Sequence, residues 1–304
     1  MSSKLKIQYS RSQCTSCDRF YILDALPEAE ASASTKTRDN IIDGVLAQHV
    51  ESYGEASDLV RRIDCPDLAA FDAAIALIRK DAEAGGRPML FIHGHGEEKA
   101  GLQLASGAYV SWSAYLAALG SITLASGGEL TVVAAFCHSM APITLLPRTG
   151  RLPFAFYYGY DNTITAGEVH DETSRLYSGF LRDGGRTRPD MPTLKSHSEY
   201  DHIDEVLIQF LSLYGVLEHA ERAIPTLSIR KAVRSVEETW PEQGVPLGGV
   251  GKNIKKVIMS EELVASTLGQ FMYDTERRSR LIGEVHRWRE QAQQGASSSA
   301  TRAM

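Results

Sequence analysis

Short apolar runs alternate with amphipathic stretches along roughly the first 180 residues of the chain. Such runs lack the alternation of a half-exposed strand and are typical of strands that are buried on both faces of a parallel sheet. The clearest runs are Met89 to Ile92, Leu130 to Phe136 and Phe154 to Tyr160, and a shorter run, Phe20 to Leu23, lies nearer the N-terminus. We predict a strand at each of these runs.

The stretches between the runs carry apolar residues at helical spacing. One helix is predicted around residues 41–53, and another begins behind the capping residue Asp67. A third is predicted after Ser111, and a fourth spans Val169 to Phe180. The polar, Ala- and Ser-rich stretch from Glu28 to Thr37 is instead predicted to be a loop. Strands that alternate with helices favour parallel pairing and predict an α/β sandwich.

The composition changes after this alternating region, which predicts a boundary near residue 182. Residues 183–201 contain glycine and proline but few apolar residues, as is typical of an exposed linker. Residues 202–294 have a mainly helical pattern, and the Ala- and Ser-rich segment 295–304 is predicted to be a disordered tail. Within the helical portion, Asn253 to Met259 is the best candidate for a further strand of the central sheet.

The charge and hydropathy of the chain exclude several classes of partner. Its 304 residues include 38 acidic and 32 basic side chains, which give a net charge of −6. Because the basic residues form no cluster, we expect no nucleic-acid binding. No apolar run is long enough to cross a membrane, and the first residues lack the apolar stretch of a signal peptide, so we expect a cytoplasmic protein without membrane association.

The four cysteines are too few to form the disulfide framework of a chain of this length. Cys14 and Cys17 form a Cys-x-x-Cys pair, but a structural zinc site needs four ligands and the sequence has no second such pair. We therefore interpret Cys14 and Cys17 as loop thiols and expect no bound metal.

Two of the predicted strands end in residues that are suited to acyl-transfer chemistry. One is followed by His93-Gly94-His95-Gly96 and the other by Cys137-His138-Ser139. The carboxyl ends of neighbouring parallel strands meet at one edge of a sheet, where ligand sites form. A thiol attacks a carbonyl only as a thiolate, and an imidazole is a suitable base for it. A glycine beside the histidine lets a substrate come close to the backbone.

These two segments resemble the paired His-Gly and Cys-His-Ser signatures of metacaspases and their caspase-like relatives. The stretch Gly101 to Gly107 resembles the loop that follows the histidine in bacterial caspase-like domains of the CHAT type. The resemblance covers about Lys4 to Leu181. It implies a caspase-like three-layer sandwich, with residues 1–182 as the peptidase domain and a helical portion that completes this domain, covers the active-site face or binds a partner.

The resemblance also implies an activity and the residues that perform it. The chain would be a cysteine endopeptidase with Cys137 as the nucleophile and His95 as the general acid and base. The backbone N–H groups of Gly96 and Cys137 would bind the oxyanion. A protein or peptide would be the substrate, with no cofactor required and with calcium as an alternative activator. A regulated role in stress or antiviral defence, switched on by a protein partner or by processing, is also expected.

The sequence departs from these families in the residues that select the substrate. Metacaspases carry an Asp two residues before the nucleophile, where this chain has Ala135. Asp161, just after the third strand, is therefore our candidate for a pocket that binds a basic side chain. The alternative for Asp161 is a helix cap or a turn residue.

Two other functions remain open from the sequence. Cys137 to Ala141 also resembles the nucleophile elbow of α/β-hydrolases, in which case the protein would be a serine esterase with Ser139 as its nucleophile. Against this, Pro142 and Pro147 follow within a few residues and disfavour the helix that such an elbow needs. The second alternative is an inactive caspase-like domain that serves as a binding module.

Overall fold

A computed structural model describes residues 11–49, 53–147, 150–183, 191–213 and 260–301. The chain divides into two compact units, Arg11–Glu199 and Tyr200–Met304 together with Met1–Ser10. The strand candidate Asn253 to Met259 lies outside the described residues. In the described part of the chain, no helix has both the length and the apolar character needed to cross a membrane.

The first unit is built on a six-stranded, mostly parallel sheet in the order β2-β1-β3-β7-β8-β9, beside a small antiparallel sheet in the order β4-β5-β6. Among the described strands of the large sheet, only β9 runs antiparallel to its neighbour. The strands are β1 (Arg19–Asp24), β2 (Val60–Asp64), β3 (Pro88–His93), β4 (His95–Glu97), β5 (Gly101–Gln103), β6 (Tyr109–Val110), β7 (Thr131–Ala135), β8 (Phe156–Gly159) and β9 (Lys195–Ser198).

Helices cover both faces of the large sheet. The described helices are α1 (Ser32–His49), α2 (Tyr53–Leu59), α3 (Leu68–Glu83), α4 (Trp112–Ala125), α5 (Ala166–Asp183), α6 (Glu199–Leu213), α7 (Glu261–Gly269) and α8 (Glu276–Thr301). Buried residues of α3 and α4 form one core with alternate residues of the strands, among them Leu90 and Val132. On the opposite face Phe91 stacks edge-on against Tyr177 of α5, with ring centroids 6.0 Å apart.

The predicted α/β sandwich with a mostly parallel central sheet is confirmed. The four apolar runs lie in β1, β3, β7 and β8. The predicted helix caps are also present: the Asp67 carboxylate accepts the Ala70 N–H at 2.9 Å, and the Ser111 hydroxyl accepts the Ala114 N–H at 3.3 Å. These local signals therefore report the helix starts correctly.

The stretch from Glu28 to Thr37 differs from its predicted loop, because α1 already begins at Ser32. Its first turns have no apolar face from which a helix could be predicted. They are held instead by a polar contact, since the buried Ser34 hydroxyl donates to the Asp24 carboxylate at the end of β1. The preceding residues, Glu28–Glu30, form a short 3-10 turn.

The segment expected to be a linker, 183–201, contains a strand of the central sheet. Lys195–Ser198 pairs with β8, and the neighbouring Met191 and Leu194 are buried. The buried Glu172 carboxylate on α5 holds this segment, accepting the Leu194 N–H at 2.7 Å. An edge strand needs few apolar residues, which explains why its polar sequence resembled a linker.

The described part of the second unit is helical, as the sequence pattern predicts. Val264 and Leu268 of α7 and Leu281 and Val285 of α8 are buried. The tail expected to be disordered from Gly295 instead continues α8 to Thr301. Alanine has the highest helix propensity, and extending an existing helix is far easier than starting one.

Candidate active site

The ends of β3 and β7 bring the two candidate catalytic segments to the same edge of the sheet. The strands are parallel neighbours, and His93 pairs with Ala135 at their carboxyl ends. His95 and Cys137 each lie two residues beyond this pair. The register therefore places both segments at one edge, although they lie 42 positions apart in the sequence.

Gly96 packs directly against the backbone of Cys137. A Cβ atom on Gly96 would lie 2.0 Å from the carbonyl oxygen of Cys137 and 2.7 Å from Cδ2 of Phe136. No side chain fits in this space, so only glycine allows β4 to approach so closely. This contact joins the strand that carries His95 to the residue that carries the candidate nucleophile.

The thiol of Cys137 is half-buried and lies against the segment between β8 and α5. Its Sγ atom accepts the Ile164 N–H at 3.4 Å and donates to the Ile164 carbonyl oxygen at 3.6 Å. The backbone of this segment therefore fixes the direction in which the thiol points.

His95 lies at the start of β4 with about half of its side chain exposed. Its Nε2 atom is 3.3 Å from the Oε2 atom of Glu30, which lies in the 3-10 turn after β1. Sequence reasoning did not identify Glu30, because its segment was predicted to be a loop without a role. The only sequence signal for Glu30 is that an acidic residue follows shortly after a predicted strand.

His93 has a different environment from His95, because its ring is buried at the end of β3. Burial lowers the pKa of His93 to about 4, although the neighbouring Asp24 carboxylate acts in the opposite direction. Asp24 itself is held by Arg62, whose guanidinium nitrogen lies 2.5 Å from the carboxylate. His93 is thus a neutral imidazole that packs at the end of β3.

His138 contacts the segment that follows β8 through both its backbone and its ring. Its backbone has a φ of 55°, and its Nδ1 atom is 3.2 Å from the Asp161 carbonyl oxygen. Its N–H donates to the Asn162 carbonyl oxygen at 3.3 Å. Asp161 is exposed at a bend and contributes its backbone oxygen to this contact. A specificity role for the Asp161 carboxylate stays a prediction.

Ser139, the alternative nucleophile, is fully buried. Its hydroxyl donates to the Ala134 carbonyl oxygen at 3.0 Å and accepts the Tyr160 N–H at 2.8 Å. The residues that follow form a short 3-10 helix, Ala141–Leu145, and not the α-helix that a nucleophile elbow requires. Ser139 is thus a structural residue that joins β7 to β8, and the geometry does not favour the serine esterase.

Two of the other described cysteines, Cys17 and Cys65, occupy environments that disfavour the thiolate. Cys14 and Cys65 are buried, and burial raises the pKa of Cys65 and that of Cys17 to about 12. Within the described ranges, no group of three or more His, Cys, Asp or Glu side chains is placed to hold a metal ion. Cys137 is therefore set apart from these cysteines by its position at the sheet edge.

No protein-family model and no curated protein matches the sequence. Among solved structures, the chain is similar to a secreted C11 cysteine protease from Bacteroides thetaiotaomicron, in complex with an irreversible peptide inhibitor. The TM-score is 0.38 and the sequence identity is 8%, over 64% of this chain and 71% of that protein.

Proposed function

We propose that this protein is a cysteine endopeptidase in which Cys137 is the nucleophile and His95 is the general acid and base. The observation that carries the proposal is the close packing of Gly96 on the Cys137 backbone, which brings the histidine-bearing strand against the residue that carries the thiol. The imidazole and the thiol follow paired residues of two parallel strands. A nucleophile and a base at one sheet edge are the parts that acyl transfer requires.

The proposed reaction begins with transfer of the thiol proton of Cys137 to the imidazole of His95. The sulfur then attacks the carbonyl carbon of the scissile peptide bond, and the negative charge moves to the carbonyl oxygen. The backbone N–H groups of Gly96 and Cys137 would stabilise this oxyanion. Because backbone donors at a packed glycine are held in place before the substrate binds, they need no rearrangement during the reaction.

The second half of the reaction releases both products. The carbon–nitrogen bond breaks, the imidazolium donates its proton to the leaving amine, and the acyl group stays on Cys137 as a thioester. His95 then takes a proton from water, whose oxygen attacks the thioester and frees the carboxylic acid. The thiol regains its proton at the end of the cycle.

Cleavage of a peptide library by the wild type and by Cys137→Ala tests the proposal. Mass spectrometry should detect new peptide ends with the wild type and none above background with Cys137→Ala, while circular dichroism shows that both are folded. Ser139→Ala tests the serine esterase in the same assay, because only that alternative predicts a larger loss with Ser139→Ala than with Cys137→Ala. Equal cleavage by the wild type and Cys137→Ala would exclude Cys137 as the nucleophile.

A preference for basic side chains is the specificity that we assign to Asp161. Its carboxylate is exposed three residues before Ile164, whose backbone contacts the thiol, and would attract a positive charge. In the same library, Asp161→Asn should lower the share of cleavage after Arg and Lys relative to other residues. An unchanged residue preference would remove Asp161 from the substrate pocket and leave it as a turn residue.

We also propose that the peptidase is a regulated effector of a stress or defence response, controlled by a protein partner, by calcium or by self-cleavage. The predicted cleavage sites are Arg186 and Arg188, which lie outside the described residues. Incubation of the wild type should yield fragments that end there, and Cys137→Ala should stay intact. An intact wild-type chain after long incubation with and without calcium would exclude self-processing.

A further inference from the structure

The carboxylate of Glu30 faces the ring of His95, and we propose that Glu30 is a positioning residue for the catalytic imidazole. The inference rests on the proposed function, since it assigns a role to Glu30 within that site. The two side chains meet with 3.3 Å between Nε2 of His95 and Oε2 of Glu30. Each remains about half exposed, so a substrate and solvent can still reach the imidazole.

The contact selects one tautomer of the neutral imidazole. An ionised carboxylate carries no proton and repels a lone pair, so the neutral ring is more stable with its proton on the nitrogen that faces the carboxylate. The proton of the neutral ring then lies on Nε2 of His95, beside Glu30, and Nδ1 keeps its lone pair. Nδ1 is thereby the atom that takes the proton from the Cys137 thiol. Without Glu30 both tautomers would be available, and only one of them has the base at Nδ1.

The same contact stabilises the charged state that the reaction passes through. When the thiol proton moves to Nδ1, Cys137 becomes a thiolate and His95 an imidazolium, which donates from both nitrogens. The Glu30 carboxylate then lies next to a positive charge, and an ion pair with an imidazolium is stronger than a contact with the neutral ring. Glu30 therefore favours the thiolate–imidazolium pair over the neutral pair.

Backbone hydrogen bonds connect the turn that carries Glu30 to the end of β3, next to the rest of the site. The Ala25 N–H donates to the His93 carbonyl oxygen at 2.8 Å, which joins the chain after β1 to the end of β3. The Glu30 N–H donates to the Pro27 carbonyl oxygen at 2.8 Å and closes the turn. Glu30 is thus placed by backbone hydrogen bonds within the unit that carries the dyad.

The rate of Cys137 alkylation by iodoacetamide, followed by peptide mapping, tests the proposal without a known substrate. Glu30→Gln keeps the shape and removes the charge, whereas Glu30→Asp keeps the charge on a shorter side chain. Glu28→Gln removes the same charge from the other acidic residue of the same turn and is the matched control. At low ionic strength, Glu30→Gln should lower the rate by about two- to five-fold, the range of exposed ion pairs.

The order of the variants separates a positioning role from a merely structural one. We expect wild type and Glu28→Gln to react fastest, Glu30→Asp to be intermediate and Glu30→Gln to be slowest. Added salt should slow the wild type towards the rate of Glu30→Gln and have little effect on that variant, because salt screens exposed charges. Equal rates for Glu30→Gln and Glu28→Gln would overturn the inference.

The failure of this inference is distinguishable from a failure of the proposed function. If His95→Ala slows alkylation of Cys137 and Glu30→Gln does not, the dyad stands and Glu30 has no part in it. If His95→Ala leaves the rate unchanged, the dyad itself is excluded, and with it the role of Glu30.

Discussion

A methyl group on Gly96 is the smallest change that should separate the two halves of the proposed site. The added Cβ would lie 2.0 Å from the Cys137 carbonyl oxygen, whereas ordinary contacts begin near 3.4 Å. Both sides of the contact are backbone, so no side chain can rotate away, and the strands must separate by roughly 1 Å or more. A displacement of about 1 Å at a catalytic group costs on the order of 100-fold in rate, and overpacking costs about 1–3 kcal/mol of stability.

Peptide cleavage and Cys137 alkylation by Gly96→Ala, together with its unfolding temperature, measure these two effects. We expect a large loss of cleavage, slower alkylation and a Tm lowered by ~2–4 °C for each kcal/mol lost. Gly167→Ala is the matched control, because a Cβ on this helical glycine meets nothing within 4 Å. It should leave the site unchanged and stabilise α5 slightly. Wild-type cleavage and stability in Gly96→Ala would refute the close packing on which the site depends.

Three further predictions concern groups around the site. The unfolded chain protonates His93 near pH 6.5 and the folded chain only near pH 4, so stability should fall as pH decreases between these values, by on the order of 3 kcal/mol. In urea unfolding, His93→Gln should lose part of this pH dependence, and the same pH dependence as in the wild type would contradict the prediction. Ser139→Ala should lower the free energy of unfolding by about 1–3 kcal/mol through lost buried hydrogen bonds, while Cys137 stays reactive. A loss of reactivity at unchanged stability would instead favour Ser139 as the nucleophile. Iodoacetamide at neutral pH should label Cys137 well before Cys17 or Cys65, because burial raises the pKa of those two thiols to about 12. Equal labelling of the three cysteines would contradict this order.

The sequence predicts the centre of the sheet better than its edges, and the reason is physical. The strands β1, β3, β7 and β8 are buried on both faces, so their sequences are largely apolar and easily identified. The outer strands have fewer neighbours. Val60–Asp64 carries two arginines and an aspartate, and all four residues of Lys195–Ser198 are polar, so neither has the apolar pattern of a strand.

The candidate site likewise combines residues that the local sequence reveals with residues that only the fold brings together. Cys137 and His95 could be named because each follows an apolar strand in a short motif. Glu30 could not, since its contact with His95 joins residues far apart in sequence and depends on where the turn after β1 is fastened. The burial of Ser139 was likewise invisible, because it follows from hydrogen bonds to the ends of β7 and β8.

The most direct test of the proposed dyad is the alkylation rate of Cys137 in the wild type and in His95→Ala, measured side by side at neutral pH. The exposed His95 ring contributes little to the core, so the variant should fold normally. If His95 activates the thiol, the variant should react at least several-fold more slowly, towards the rate of an ordinary cysteine. An unchanged rate would contradict the central claim that these two residues form one catalytic pair.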